Sequence, residues 1–359
     1  MEESIADPKI IQMYLAVGVV SYFVLAPFFA TMPSVSAVAN TASSCAIVGI
    51  ALAAWNAHQS KNPGYLWGWV SIAALLPFVT IAVQGFLGYG LAAAVVVFAF
   101  VGSFYRPAWK TAVVSLLAAY IGMSLYVTYM RDRGDIRMVV WGGESASARL
   151  SRLQATFTDL ELFDINNLDH LQRVDLRLNQ NYLVGMAVEN LQRHPDQFAG
   201  GETIWQAILA PIPRTLWPDK PSFAGSGDLV SRFSGIQFAE GTSVGIGQVM
   251  ELYVNFATTG VFVGFILLGA LLAYVDAQAA SYRHVGDWRR FTLWFLPGLS
   301  LLQLGGSLVE VTSTAGAAVV VALILNRLTP GRAASRVRFS TPPAGPSLQR
   351  ERQIRVSRP

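Results

Sequence analysis

The chain has 359 residues, 53% of them apolar and only 13% charged, with 26 Lys and Arg against 22 Asp and Glu for a formal net charge of +4. A mean hydropathy of +0.43 reflects more apolar surface than a soluble core of this size requires, which places the chain in the membrane class and not among nucleic-acid binders. The single cysteine, Cys45, excludes an internal disulfide and a thiolate cluster, and the four histidines, His58, His170, His194 and His284, lack metal-ligand spacing, so no metal and no cofactor are expected.

A hydrocarbon core of about 30 Å takes about 20 helical residues to cross. Apolar stretches of that order lie at residues 11–30, 37–55, 65–83, 87–105, 111–129 and 250–274. The stretch 291–327 is interrupted at Gly305, Gly306 and Glu310 and reads as two short helices in a hairpin. The expected fold is therefore an all-α polytopic membrane protein of about eight transmembrane helices. No repeat of fixed period is visible.

Lys and Arg in short loops stay on the cytoplasmic side. They fall in alternate connections: His58 and Lys61, then Arg106 and Lys110, then Arg283, Arg289 and Arg290, then the tail from Arg327. The connections around Pro33, Gln84 and Gly306 carry none. Both termini are then expected inside and residues 131–248 outside. Trp55, Trp67, Trp69, Trp109, Trp288 and Trp294 all fall at the proposed inner ends, as an interfacial aromatic belt would. The first span is expected to be a retained helix, because Glu2, Glu3 and Asp7 make the region before it acidic. The chain thus divides into residues 1–130 with five spans, an external and mostly helical loop 131–248, residues 249–328 with the last spans, and a basic cytoplasmic tail 329–359. That tail, rich in Pro, Ser and Arg, is expected to be disordered.

The external loop is much longer than a connector needs and carries the candidate site. Helices are expected at about 147–163, 178–192 and 202–210. Pro211, Pro213, Pro218 and Pro221 stiffen the segment that contains Arg214, Trp217, Asp219 and Lys220. Arg214 and Lys220 are candidate anion ligands, Trp217 either lies at the interface or stacks on a sugar ring, and Asp219 is an acceptor placed to orient Lys220. Arg173 and Arg177 stand four residues apart, and their guanidinium groups suit either a pyrophosphate or a solvated helix face with Asp169 and Asp175 as partners. Downstream, Asp228 and Arg232 lead through Gly241, Gly245 and Gly247 to Glu251, at the outer end of the sixth span. Glu251 is read either as catalytic or as the structural partner of a loop arginine, and Glu310 carries the same two readings.

Three segments in order, PIPRTLWPDKP (211–221), GDLVSRFSG (227–235) and TSVGIGQVMELYVNFATTGVFVGF (242–265), resemble the Wzy-type O-antigen or oligosaccharide repeat-unit polymerases. The resemblance is confined to residues 200–269, and the chain has fewer spans than many of those proteins. Ala257-Thr258-Thr259-Gly260 also stands where such sequences often have a glycine directly after Asn-Phe.

The resemblance implies a GT-C-like fold in the bacterial inner membrane and a glycosyltransferase. That enzyme would move a glycan from undecaprenyl pyrophosphate to a lipid-linked repeat unit on the periplasmic side, beside a flippase and a chain-length regulator. Arg214, Arg173, Arg177, Arg232 and Lys220 would bind the pyrophosphate, Trp217 and Tyr253 the glycan, and Glu251, Asp219 or His194 would act as base or orienter. A related ligase acting on another acceptor and a non-enzymatic assembly protein remain alternatives. A transporter is disfavoured, because the first five spans carry essentially no charge.

Overall fold

The computed structural model describes residues 5–105, 109–179, 181–214, 216–221, 223, 225–238, 244–303 and 305–328, with Pro33, Ser34 and residues 176–178 described by their backbone alone. All regular structure among them is helical. Six helices are long and apolar enough to cross a membrane: α1 (Pro8–Phe28), α2 (Val35–Gln59), α3 (Pro63–Gln84), α5 (Trp109–Trp141), α11 (Gly247–His284) and α13 (Leu308–Leu328). A shorter apolar helix, α4 (Gly88–Gly102), and the 14-residue α12 (Trp288–Leu301) lie between them in the chain. The region read as two short helices therefore holds a short α12 and a full-length α13. The glycines that suggested a break belong to the turn that precedes α13.

Helix starts follow capping chemistry. The Asp7 carboxylate accepts from Lys9 N ahead of Pro8, the Asn62 side chain accepts from Tyr65 N ahead of Pro63, and Asp287 accepts from Arg290 N. Each satisfies an amide that has no partner within its helix. α1 packs on α2 closely enough that a Cβ on Gly18 would fall 2.2 Å from the Ala46 nitrogen, the small-residue contact by which helices approach in lipid. Packing around α2 brings Tyr14, Leu52, Phe291 and Val321 into one core with α12 and α13.

Trp67 and Trp109 are exposed, as a belt requires, but Trp55 and Trp288 are buried. The Trp55 ring packs against Trp288 and Phe104 and under the Arg283 guanidinium, so these two tryptophans fill the inner core instead of facing headgroups.

The long loop builds a helical cap. α5 runs on to Trp141, well past the last residue assigned to its span, followed by α6 (Ala146–Thr158), α7 (Leu168–Leu178), α8 (Asn181–Arg193), α9 (Glu202–Leu209) and α10 (Ser226–Ser234). α8 and α10 share a core with the start of α11, in which Leu191, Leu229, Phe233, Ile246 and Met250 are almost wholly buried. Each such side chain contributes about 1.5–3 kcal/mol, which gives this part of the cap a core of its own.

Candidate functional site

α11 is two helices in series. Phe256 (φ −142°, ψ 28°) and Ala257 (φ 53°, ψ −150°) break it, and Leu252 packs back on Gly260 and Gly264 of the second limb. Asn255 holds the break: its Nδ2 donates to the Glu251 carbonyl at 2.7 Å and to Thr203 Oγ1 at 2.7 Å, and its Oδ1 accepts from Gly201 N at 2.9 Å. The Val254 carbonyl accepts from Ala199 N at 2.8 Å. The break is thus tied to the approach to α9 through the Val254 carbonyl and the Asn255 side chain.

The first limb delivers Glu251, which is 0% exposed, to the start of α13. Its Oε2 accepts from Leu308 N at 2.6 Å. Its Oε1 is equally enclosed, with no hydrogen-bond partner among the described residues. Beside it Ser307 and Glu310 form a capping box: Ser307 N donates to Glu310 Oε2 at 3.0 Å, and Glu310 N to Ser307 Oγ at 3.2 Å. Ser226, the first residue of α10, donates to the same Glu310 oxygen at 2.9 Å and accepts from Ser307 N at 3.1 Å. Two carboxylates therefore gather at the positive end of the α13 dipole. Ser226, Thr203, Asn255 and Ser307 were missed on reading the sequence, although Ser307-Leu308-Val309-Glu310 is a legible capping-box pattern ahead of an apolar run.

The proline-stiffened segment begins on α13. The Thr312 hydroxyl donates to the Ala207 carbonyl at 2.6 Å, and a Cβ on Gly316 would come within 2.8 Å of Pro211. Gly316 lies eight residues into α13, about 12 Å along its axis, so the segment rises from beside a membrane-length helix. Lys220 Nζ donates to the Ala210 and Ile212 carbonyls at 2.6 and 3.0 Å, and Arg214 Nη1 donates to the Lys220 carbonyl at 2.8 Å. Lys220 thereby neutralises the carbonyl end of α9. Burial first, and then the Arg214 charge, lower its ammonium below the ordinary lysine value. Arg214 and Asp219 are exposed on this loop and Trp217 is half-buried.

The other candidates divide between two places. Arg232 forms a two-pronged pair with Glu202, at 3.0 and 3.3 Å, next in sequence to Thr203 and so joined to the Glu251 network. That arginine holds the Glu202 carboxyl below the usual range. Tyr253 packs on Phe198, and His194 is exposed at the end of α8. Arg173 belongs to a separate cluster on α5, where its Nη1 meets Glu161 Oε2 at 3.0 Å while Arg131 Nη1 meets Glu161 Oε1 at 2.8 Å. Other bonds of Arg173 run to the Val127 carbonyl and, through its own carbonyl, to the Tyr126 hydroxyl, both on α5. The Arg177 side chain, Gly241 and the arginine-rich tail beyond Leu328 lie outside the described residues.

Long apolar helices, one of them broken, with a polar cap seated on the start of α13, define a helical membrane protein. The chain matches the family described as Domain of unknown function (DUF8712) over residues 2–284, and it belongs to that family. Comparison with curated proteins and with solved structures finds no match.

Proposed function

We propose that the protein is a membrane-embedded polysaccharide polymerase of about eight spans. It takes a glycan carried on undecaprenyl pyrophosphate and transfers it to a lipid-linked repeat unit on the outer face of the bacterial inner membrane. The carrying observation is the placement of Arg214 and Lys220 on a closed, proline-stiffened loop rooted at Gly316 on a membrane-length helix. Cations at that height meet a pyrophosphate whose lipid stays in the bilayer, and they need no nucleotide or metal to stabilise charge.

In the reaction an acceptor hydroxyl attacks the anomeric carbon, the bond to the pyrophosphate oxygen breaks, and the lipid pyrophosphate leaves with the electron pair. Arg214 holds the leaving group, and Asp219, exposed on the same loop, takes the hydroxyl proton. The enclosed Glu251 acts as a positioning residue that sets the start of α13 through its carboxylate and, through its carbonyl, Asn255 and Thr203, the helix α9 that leads to the loop. Arg232 steadies the same assembly through Glu202.

The test is the glycan ladder in cells lacking the gene and with purified protein in liposomes. The expected results are a collapse to single repeat units and step-wise growth of lipid-linked repeats on adding the protein. A lipid-linked ladder that persists without the gene, together with a defect in transfer to another acceptor, would replace the polymerase with a ligase.

A further inference from the structure

The segment between α6 and α7 has an unusual exterior for a loop expected in water. Leu162, Ile165 and Leu168 are 61%, 69% and 73% exposed, and Leu160 and Leu171 add to the same surface. α7 continues the surface, with Leu168 and Leu171 spaced to share one face and the buried His170 on the other.

The height of this surface is fixed by α5. Residues 111–130, between Lys110 and Arg131, carry no charge, and twenty helical residues rise about 30 Å, the thickness of a hydrocarbon core. The loop is fastened inside the last two turns of that stretch: Glu161 N donates to Thr128 Oγ1 at 3.0 Å and Phe163 N donates to Ser124 Oγ at 3.0 Å. Side-chain hydroxyls therefore serve loop amides at a depth where water cannot. Two polar groups, Glu161 and His170, turn the other way, while Asp164, Asn166, Asn167 and Asp169 stay exposed beside the apolar side chains. Glu161 reaches to Arg131 and Arg173, and the 5% exposed His170 turns Nε2 to Glu161 at 3.2 Å while its Nδ1 accepts from Asp164 N. The exposed leucines and Ile165 continue the lipid-facing side of α5, where Leu117 and Ile121 are each 56% exposed.

We infer that residues 160–171 form a membrane-surface anchor, lying at the acyl–headgroup boundary at the Arg131 end of α5 with Leu162, Ile165 and Leu168 in the acyl layer. The ion pairs above them hold the anchor to α5, so the cap is tied to the bilayer at a second point, away from α13. The inference stands apart from the polymerase reading and needs only that α5 cross the membrane.

The test uses the full chain with Cys45 replaced by Ala and single cysteines at 162, 165 or 168, labelled with an environment-sensitive fluorophore in phosphatidylcholine–phosphatidylglycerol liposomes. A cysteine at Glu144, beyond Trp141, is the control, since Trp141 stands about 15 Å past Arg131 along α5. Quenching by lipids carrying a doxyl group near the headgroup should be at least three-fold greater at 165 than at 144, and quenching by aqueous iodide at least three-fold weaker. Equal iodide quenching at the two positions would overturn the anchor. So would shielding of 165 from both quenchers, which would put a protein surface there instead of lipid.

Discussion

The Glu251 carboxylate accepts a 2.6 Å hydrogen bond from the Leu308 backbone amide, so the acid that reads most readily as a catalytic group is the cap of the last membrane-length helix. Replacing it with Gln keeps an acceptor for that amide and should cost no more than about 1 kcal/mol, the usual scale of one cap. Glu251→Ala leaves a buried amide unpaired and a cavity beside it, and should cost about 3 kcal/mol. Thermal unfolding in detergent separates the two. Equal midpoints for the Gln and Ala variants would remove the cap from this account, and loss of all turnover in a stable Gln variant would return Glu251 to the role of base.

Arg214 offers a planar fork that Lys cannot reproduce. Arg214→Ala should abolish polymer while leaving the protein at normal abundance in the membrane. Arg214→Lys should lower turnover by an amount on the order of 3 kcal/mol, expressed in kcat more than in KM. An exposed arginine that served only its loop would be worth about 1 kcal/mol at most and would be replaced by Lys without loss. Wild-type polymer from Arg214→Lys would detach this loop from the chemistry.

Acidification should release the anchor segment before the membrane core. The hydrogen bond from Arg131, followed by that from Arg173, holds the Glu161 carboxyl below its ordinary value of 4.5 against the opposing pull of burial. A lowered folded value means that the stabilisation is complete above the ordinary value and is lost as pH falls through the lowered one. Asp132 and Asp159 also face Arg131, and His170 meets Glu161 itself. Hydrogen exchange over residues 159–171 should therefore rise as pH is taken from 5 toward 3, after correction for intrinsic rates, and Glu161→Gln should show the fast exchange already at neutral pH. A flat profile in the parent protein would exclude the mechanism.

Ala257 adopts φ 53° and ψ −150°, a region open almost only to glycine and costly to other residues by about 1–3 kcal/mol. A glycine is what related-looking sequences often place after Asn-Phe. Ala257→Gly should therefore stabilise the protein, by about 1 kcal/mol once the extra freedom of the unfolded chain is subtracted, and Ala257→Val should destabilise it. Denaturation midpoints of the two variants should move in opposite directions.

The membrane-length helices were legible because hydrocarbon imposes a length and a composition that chance rarely satisfies. The extension of α5 to Trp141 was not, since Arg131, Asp132, Arg133, Asp135 and Arg137 look like the start of a loop until Glu161, Arg152 and Phe86 are seen to receive them. The break at Phe256 was hidden for a related reason. The run Val254 to Gly260 contains no proline, and the broken end is held by partners more than fifty residues earlier, Ala199 on the Val254 carbonyl and Gly201 and Thr203 on the Asn255 side chain. α10 escaped notice because a nine-residue helix flanked by glycines is set by the core that receives Phe233, not by its own periodicity. In the candidate site the proline-stiffened loop was visible, whereas the pairing of Glu251 with Leu308 and of Ser226 with Glu310 depends on chain segments 57 and 84 residues apart.

Those two separations also set an order of assembly. Ser226 and Glu251 leave the ribosome long before Ser307, Leu308 and Glu310, so the α8–α10 core forms while the hydrogen bonds that lock it to the membrane domain do not yet exist. Until α13 inserts, Glu251 is an acid without the amide it caps. Completion of the site is therefore coupled to insertion of the last helix, and a chain stalled before Ser307 carries a folded cap with an unfinished floor.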